Sequence, residues 1–279
     1  MKQPLTVIVP CKNERLNIRQ CIESFYAIAD EVIVADSGST DDTIAIAKEF
    51  EKVRVISRDY RTSGDFKNWA IPQAQNEYVL IIDADERVTP QLADEIVLEL
   101  GRGPIYDGFW IKRRNHFMGH EQKHGDARTD RVLRLFHRDR GRYEGPSDHG
   151  EVVISTGKVA TLQNKMEHYS VWGYDMFFQK FHRYTTLQAE QWQEQGRQTS
   201  CFKLLIRPMF RFFREYILQR GIFDGKIGLQ QAWIAAFYSF MKQARLWELN
   251  NALEQPDAEP ETKSDLRVHF KDYSERKAA

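Results

Sequence analysis

The chain has 279 residues, 42% of them hydrophobic and 29% charged, which is typical of a folded globular protein and excludes a disordered or collagen-like chain. Forty basic residues balance forty acidic ones, so the overall charge gives no indication of a nucleic-acid partner. The three cysteines, Cys11, Cys21 and Cys201, lack metal-ligand spacing, which favours reduced thiols in the cytosol. We expect one large domain with an appendage.

The amino terminus predicts no export signal. Residues 1–10 carry one basic side chain and an apolar run that is too short for a signal peptide and continues into a strand pattern. The longest apolar stretch, near Ala232–Met241, is well short of the roughly 18 residues that a spanning helix needs. The sequence therefore predicts a cytoplasmic protein whose membrane contact is at most peripheral.

Strand and helix patterns alternate through the first hundred residues. The helix predicted over Asn17–Tyr26 places Ile18, Cys21 and Ile22 on one face, and the helix predicted over Asp41–Phe50 begins with acidic residues. The predicted strands are Leu5–Val9, Glu31–Ala35, Val53–Ile56 and Tyr78–Ile82. This rhythm predicts an α/β fold whose parallel strands are joined by right-handed crossovers.

The pattern changes after Asp107. Three further strands are predicted, and the chain is expected to be helical from Ser170 and polar from about Gln255. These strands are Gly108–Lys112, Arg131–Phe136 and Glu151–Ile154.

Polar loops follow three of the predicted strands, at Pro10–Glu14, Asp36–Asp42 and Asp83–Glu86. Ligands of open α/β sheets bind beyond the carboxyl ends of the strands, so these loops form the candidate site. Asp83-Ala84-Asp85 presents two carboxylates suited to Mg²⁺ or Mn²⁺ together with a diphosphate, although solvated strand caps are the simpler alternative. A calcium loop is excluded because Val88 stands where an EF-hand needs glycine.

Two further positions fit a nucleotide ligand. Asp36, at a strand end, can accept a hydrogen bond from a base or ribose, while the residues that follow it form a turn and helix cap. Lys67 and Asn68 lie on the next predicted helix, where they either reach phosphate or form a solvated face.

Several motifs together resemble the family 2 inverting glycosyltransferases, in particular the bacterial branch that contains the lipopolysaccharide core β-glucosyltransferases. The resemblance spans residues 8–228, most of the chain. The matching motifs are Ile8–Glu14, Val34–Thr43, Lys67–Ala70, Asp83–Glu86, Asp130–Phe136, His168–Ser170 and Asp224–Gly228.

The resemblance implies a GT-A fold, a mixed nucleotide-sugar-binding sheet flanked by helices, with a helical C-terminal extension. It implies a donor site and a metal site at the strand ends, with Asp36 on the nucleoside, and Asp83 and Asp85 serving ribose, diphosphate and metal. The remaining implied donor contacts are Pro10, Asn13, Glu14, Lys67, Asn68 and Ala84. We expect a catalytic domain over 1–169, divided into a donor half (1–105) and an acceptor half (106–169), followed by the extension (170–254) and a tail (255–279).

An inverting transfer needs a general base to deprotonate the acceptor hydroxyl. The branch usually has a His-Glu pair in this region, but here Gly150 separates the two residues. The base therefore stays open among Asp148, which we prefer, Glu151 and His149. Arg113, Arg131 and Arg134 are candidate contacts for acid groups of the acceptor, or else surface ion-pair partners.

The predicted reaction moves a hexose from a nucleotide-sugar, UDP-glucose or similar, to a lipopolysaccharide-core or other lipid-linked glycan. A sugar-1-phosphate nucleotidyltransferase is the enzymatic alternative, but Pro10–Glu14 lacks the glycine-rich phosphate loop that such an enzyme needs. A non-catalytic nucleotide-sugar-binding protein at the membrane surface is the other.

The run His120–His124 matches the zinc-protease pattern HExxH. The glycines at positions 119 and 125 and the missing apolar face argue against a helix, so we expect a polar loop over the acceptor cleft rather than a zinc site.

The segment 202–220 combines basic and aromatic residues at helical spacing. It fits an anionic membrane surface at the inner face of the cytoplasmic membrane, a packed helix, or a contact between subunits of a homo-oligomer. Its basic residues, Lys203, Arg207, Arg211 and Arg214, share one predicted face, and Pro208 is expected to kink the helix.

Overall fold

Strands and helices alternate in the amino-terminal half of the computed structural model, which describes residues 3–144 and 150–251. The order of the strands in the sheet is β3-β2-β1-β4, and neighbours are parallel, as the sequence pattern predicts. The elements are β1 (Leu5–Cys11), α1 (Ile18–Phe25), β2 (Glu31–Asp36), α2 (Thr43–Ala47), β3 (Val53–Ser57), α3 (Ser63–Ala70) and β4 (Tyr78–Ile81).

Helix α2 is shorter than the predicted Asp41–Phe50. The Asp41 side chain accepts a hydrogen bond from the Thr43 backbone N–H, and this turn precedes the helix. After Ala47 the backbone tightens into three-residue turns, in which the Phe50 N–H donates to the Ala47 carbonyl.

The sheet continues with strands of mixed direction. Its full order is β3-β2-β1-β4-β8-β6-β11-β5, with β7 on β6, while β9 and β10 form a separate antiparallel pair. Strand β8 is antiparallel to β4 and to β6, and β11 is parallel to β6. These elements are β5 (Glu86–Val88), α4 (Pro90–Gly101), β6 (Gly108–Phe117), β7 (His120–Glu121), β8 (Arg131–His137), β9 (Gly141–Tyr143), β10 (Val152–Ile154) and β11 (Val159–Val171).

Both faces of the parallel strands are buried, which explains their nearly continuous apolar sequences. Alternate residues of β1 point to opposite faces, so Val7 and Val9 pack with Ile22 of α1, while Ile8 packs with Phe66 of α3. The two layers fix the ends of β1 and β4 between helices, and the polar loops after these strands are held by a rigid support.

Three long helices form the C-terminal extension, as the resemblance implies. They are α5 (Tyr174–Glu194), α6 (Cys201–Phe213), which continues through Pro208 into a π-helical turn at Arg214–Leu218, and α7 (Gly225–Asn251). Across the described ranges, none of the helices is long and apolar enough to cross a membrane.

The motif Asp224–Gly228 starts α7. Gly225 has a positive φ of 59°, which favours glycine. A Cβ atom at Gly228 would lie 1.8 Å from the Gly221 carbonyl oxygen, so only glycine permits this approach of α7 to the preceding turn.

Candidate active site

A cleft of about 1010 Å³ lies at the carboxyl ends of β1 and β4, closed on one side by α5. Of the predicted donor residues, Asn13, Asp36 and Asn68 do not line it. Arg113, Arg131, Arg134 and Glu151 line it as well. The predicted donor residues that do line the cleft are Pro10, Glu14, Lys67, Asp83, Ala84 and Asp85.

The three residues outside the cleft hold its walls. The Asp36 carboxylate accepts hydrogen bonds from the backbone N–H groups of Gly38 and Ser39, and Asn13 accepts one from Thr40. Asn68 exchanges two hydrogen bonds of 2.9 Å with the Tyr143 backbone. These contacts fix the loop after β2 and join α3 to β9.

Asp83 is neutralised by two cations. Lys67 Nζ lies 2.9 Å from one carboxylate oxygen, and Arg134 Nη2 binds the other. Burial disfavours the ionised form, but the positive charges of Arg134 and Lys67 outweigh it and hold the pKa of Asp83 well below its usual value. Asp83 is therefore a carboxylate at every physiological pH, and both its oxygens are occupied.

Glu86 joins the arginines beneath the cleft. Its side chain has 0% exposure and lies 3.0 Å from Arg134 and 3.3 Å from Arg113, and it accepts a hydrogen bond from the Asp83 backbone N–H. Arg113 also binds Asp130 through two bonds of 2.9 Å. No role was predicted for Glu86, although its position directly after Asp83-Ala84-Asp85 indicated that it lies near the site.

Asp85 is arranged differently from Asp83. Its carboxylate oxygens lie 3.9 Å from His168 Nε2 and 3.8 Å from Lys180 Nζ, and neither accepts a hydrogen bond from residues in the ranges that the structure covers. Burial raises the pKa of Asp85, and the nearby carboxylates of Asp83 and Glu86 add to this rise. An additional cation beside Asp85 would offset this cost.

The orientation of His168 favours a cation at this point. Its Nδ1 lies 2.6 Å from the Asn115 side-chain oxygen, and the Asn115 amide nitrogen donates to Asp130. Nδ1 is therefore the donor in this hydrogen bond, and the other ring nitrogen, Nε2, is turned toward Asp85. Within residues 3–144 and 150–251, no group of three or more His, Cys, Asp or Glu side chains is arranged to hold a metal ion. Asp85 and His168 are two residues that could hold Mg²⁺ or Mn²⁺ if the oxygens of a diphosphate filled the remaining positions.

Helix α5 contributes residues that the sequence analysis did not identify. Lys180 approaches Asp85 and donates to the Ser170 carbonyl at 3.0 Å, and the Arg183 guanidinium lies 5.6 Å from the centre of the Tyr60 ring. Their helical spacing resembles an ordinary solvated face, so the sequence held no signal for them. Positive charge from α5 thus lies at the end of the cleft that holds Asp85.

Two of the residues predicted for the acceptor side, Arg131 and Glu151, lie in the cleft wall. Arg131 is exposed and lies 4.9 Å from the Trp110 ring centre, and Glu151 is exposed at the rim. Asp148 and His149 lie outside the described residues, so the choice of base stays a prediction. Burial raises the pKa of the Cys11 thiol in the cleft wall to about 12, which favours the protonated thiol.

The HExxH run forms no helix. His120 and Glu121 form β7, and His124 Nδ1 lies 2.7 Å from Asp224, which anchors this polar loop to the start of α7.

Comparisons with known proteins agree with the motifs. The chain is 28% identical to the lipopolysaccharide core biosynthesis glycosyltransferase LpsC of Rhizobium meliloti over 92% of this chain and 97% of that protein. It is 30% identical to the uncharacterized glycosyltransferase RT0209 of Rickettsia typhi over 90% of this chain and 88% of that protein.

Solved structures show a more limited likeness. Glucosyl-3-phosphoglycerate synthase from Mycobacterium tuberculosis, in complex with Mn²⁺ and UDP-glucose, is 26% identical with a TM-score of 0.35, covering 41% of this chain and 44% of that one. The family model of glycosyl transferase family 2 matches residues 6–157. The chain belongs to glycosyl transferase family 2 and is a glycosyltransferase.

Proposed function

We propose that the protein transfers a hexose with inversion from a nucleotide-sugar, UDP-glucose or similar, to a lipopolysaccharide-core or other lipid-linked glycan. The observation that carries the proposal is the contrast between the two aspartates. Both oxygens of Asp83 contact cations at close range, whereas the Asp85 oxygens lie 3.9 Å from His168 Nε2 and 3.8 Å from Lys180 Nζ and accept no hydrogen bond from the described residues. The acceptor class is supported by the similarity to LpsC, whose name gives a role in lipopolysaccharide core biosynthesis.

The donor diphosphate is proposed to lie between Asp85 and α5. Lys180 contacts its oxygens, and Asp85 and His168 would hold a divalent metal, which would offset negative charge on the departing nucleotide. The acceptor hydroxyl enters from the rim that carries Glu151, and its proton passes to Asp148, with Glu151 and His149 as the alternatives. The division into a catalytic domain over 1–169 and an extension over 170–254 stays part of the proposal.

The test is nucleotide release from UDP-, GDP-, CMP- and TDP-sugars with Mn²⁺ or Mg²⁺. The native protein is compared with Asp85→Asn and with Asp94→Asn, an exposed position on α4 that serves as control. Metal-dependent release that Asp85→Asn abolishes and Asp94→Asn retains supports the proposal. Tight nucleotide-sugar binding without turnover, even with core oligosaccharide supplied, would favour a non-catalytic binding protein.

We further propose that α6 contacts an anionic membrane at the inner face of the cytoplasmic membrane. Six large apolar side chains of α6 are exposed, next to the exposed Arg207, and each basic residue near an anionic surface adds on the order of 1 kcal/mol. They are Phe202, Leu205, Ile206, Met209, Phe210 and Phe213.

The basic face of α6 differs from the one predicted. Arg211 and Arg214 both bind Asp126 of the polar loop, so they tie α6 to the catalytic half instead of facing outward. Lys203 and Arg207 remain as the outer charges. The membrane contact is therefore proposed to depend more on apolar side chains than on charge.

Vesicle flotation tests this surface. Phe210→Asp is expected to abolish binding to vesicles that contain phosphatidylglycerol, whereas Leu98→Asp, at an exposed apolar position on α4, leaves binding intact. A homo-oligomer that Phe210→Asp dissociates, with no vesicle binding by the native protein, would instead assign the face to a subunit contact.

A further inference from the structure

A second cavity of about 640 Å³ lies between the polar loop after β7 and the C-terminal helices α6 and α7. Asp130 and Tyr238 line both this cavity and the donor cleft. The two spaces are therefore neighbours that share a wall. We call the second cavity the hairpin cavity, because the antiparallel pair of β6 and β7 borders it.

The walls of the cavity contain buried polar atoms that packing alone does not explain. Gln231 Nε2 and Glu215 Oε2 are buried side-chain atoms without hydrogen-bond partners among the residues that the structure covers, although Arg211 Nη2 lies 3.8 Å from Glu215 Oε2. Glu215 is only 8% exposed, and its other oxygen accepts from the Asp126 backbone N–H at 3.1 Å. Burial raises the pKa of Glu215, as expected for a carboxyl that lacks a full set of partners. Unpaired buried polar groups are costly, so a donor and an acceptor left open in one cavity indicate a polar ligand.

Most of the charges in the cavity walls are already paired. Four carboxylates line the cavity against two lysine or arginine side chains, and one of these, Arg211, already binds Asp126. The Lys242 ammonium lies 4.6 Å from the centre of the Tyr238 ring. Asp130 is also paired with Arg113, Asp126 with Arg214 and Asp224 with His124, so a neutral hydroxyl, which both donates and accepts hydrogen bonds, needs no further charge compensation here.

We infer that the hairpin cavity binds a neutral sugar unit of the acceptor, remote from the hydroxyl that receives the hexose. Gln231 donates to one hydroxyl of this sugar and Glu215 accepts from another, while Tyr238 offers an aromatic wall. This inference rests on the proposed function, because it assigns the cavity to the acceptor glycan of the same transfer.

The test compares two acceptor probes, a monosaccharide and a dephosphorylated core oligosaccharide released from lipopolysaccharide by mild acid. Gln231→Leu keeps the side-chain volume but removes the amide, Ala235→Phe fills the cavity, and Gln179→Leu on α5 is the exposed control. Both cavity variants are expected to raise KM for the oligosaccharide about three- to tenfold, the loss of one or two hydrogen bonds, with kcat and the monosaccharide reaction unchanged. Acceptor-free hydrolysis of the donor serves as a measure of an intact catalytic half.

Several outcomes would overturn the inference. Unchanged oligosaccharide KM in both variants would do so, and so would binding that requires the phosphorylated oligosaccharide, because this would assign an anion to the cavity. Calorimetric titration of the same probe separates this inference from the proposed function. Oligosaccharide binding that Gln231→Leu weakens, in a protein that turns over no nucleotide-sugar, would overturn the transfer reaction and leave the saccharide site standing.

Discussion

Replacement of Glu86 by glutamine tests the ion-pair network beneath the cleft. This buried side chain is the shared partner of Arg113 and Arg134, at 3.3 and 3.0 Å. The amide keeps the shape and one oxygen but removes the charge from both pairs. A hydrogen bond to a charged group contributes about 1.5–3 kcal/mol and a neutral one about 0.5–1.5 kcal/mol, so weakening two such bonds is expected to lower the free energy of unfolding by about 2–3 kcal/mol.

Urea titration of Glu86→Gln, followed by circular dichroism, measures this loss. Glu190→Gln, at an exposed position on α5, is expected to change the unfolding free energy by less than about 0.5 kcal/mol. The pairing of Arg134 with Asp83 persists, so nucleotide-sugar hydrolysis by the folded fraction is expected to continue with a raised donor KM. A Glu86→Gln protein as stable as Glu190→Gln would refute the reasoning, because it would mean that Asp83 and Asp130 alone balance the two arginines.

Three further changes probe the site and its support. Lys180→Met is expected to raise the donor KM about three- to tenfold in acceptor-free hydrolysis, the effect of losing roughly 1 kcal/mol from an exposed charge contact, and an unchanged KM would remove Lys180 from the donor site. Asp85→Asn is expected to raise the free energy of unfolding at pH 7 while it abolishes metal-dependent turnover. Folding raises the pKa of Asp85, so its ionised form costs stability above the folded-state pKa, and the gain should shrink as the pH falls through that pKa; a gain that does not change with pH contradicts this. Gly228→Ala is expected to lower the free energy of unfolding by roughly 1–3 kcal/mol, because its Cβ would lie 1.8 Å from the Gly221 carbonyl oxygen. Gly101→Ala, with open space around it, is expected to cause no loss of stability. Equal thermal stability of the two variants would show that α7 shifts freely.

The donor half was predictable because two independent signals coincide there. Its strands are continuous apolar runs, and each polar loop follows a strand end, so the sheet and the position of Asp83 and Asp85 could both be inferred. The acceptor half gave weaker signals. Strand β6 runs to Phe117, five residues beyond the predicted Lys112, because its outer part carries Arg113 and Asn115, whose burial depends on partners elsewhere in the chain.

Strand β11 was not predicted for a similar reason. Its carboxyl-terminal part contains Glu167 and His168, polar residues that do not indicate a buried strand until their partners are known. The orientation of Arg211 and Arg214 differs from the prediction for the same reason. Helical spacing places them on one face, but only the tertiary position of Asp126 decides that this face is turned inward. Sequence periodicity predicts which apolar groups are buried, but it does not predict which charged groups are buried in ion pairs.

Strand β11 belongs to the main sheet but lies beyond the segment that the family model matches. The family model ends at residue 157, yet β11 (Val159–Val171) lies between β6 and β5 in the sheet and holds β5 at its edge. A polypeptide cut at residue 157 would expose the edge of β6 and leave β5 without its neighbour in the sheet. Residues that follow the matched segment thus complete its sheet, and β11 also touches the site directly, because the Tyr169 backbone N–H donates to the Asp85 carbonyl.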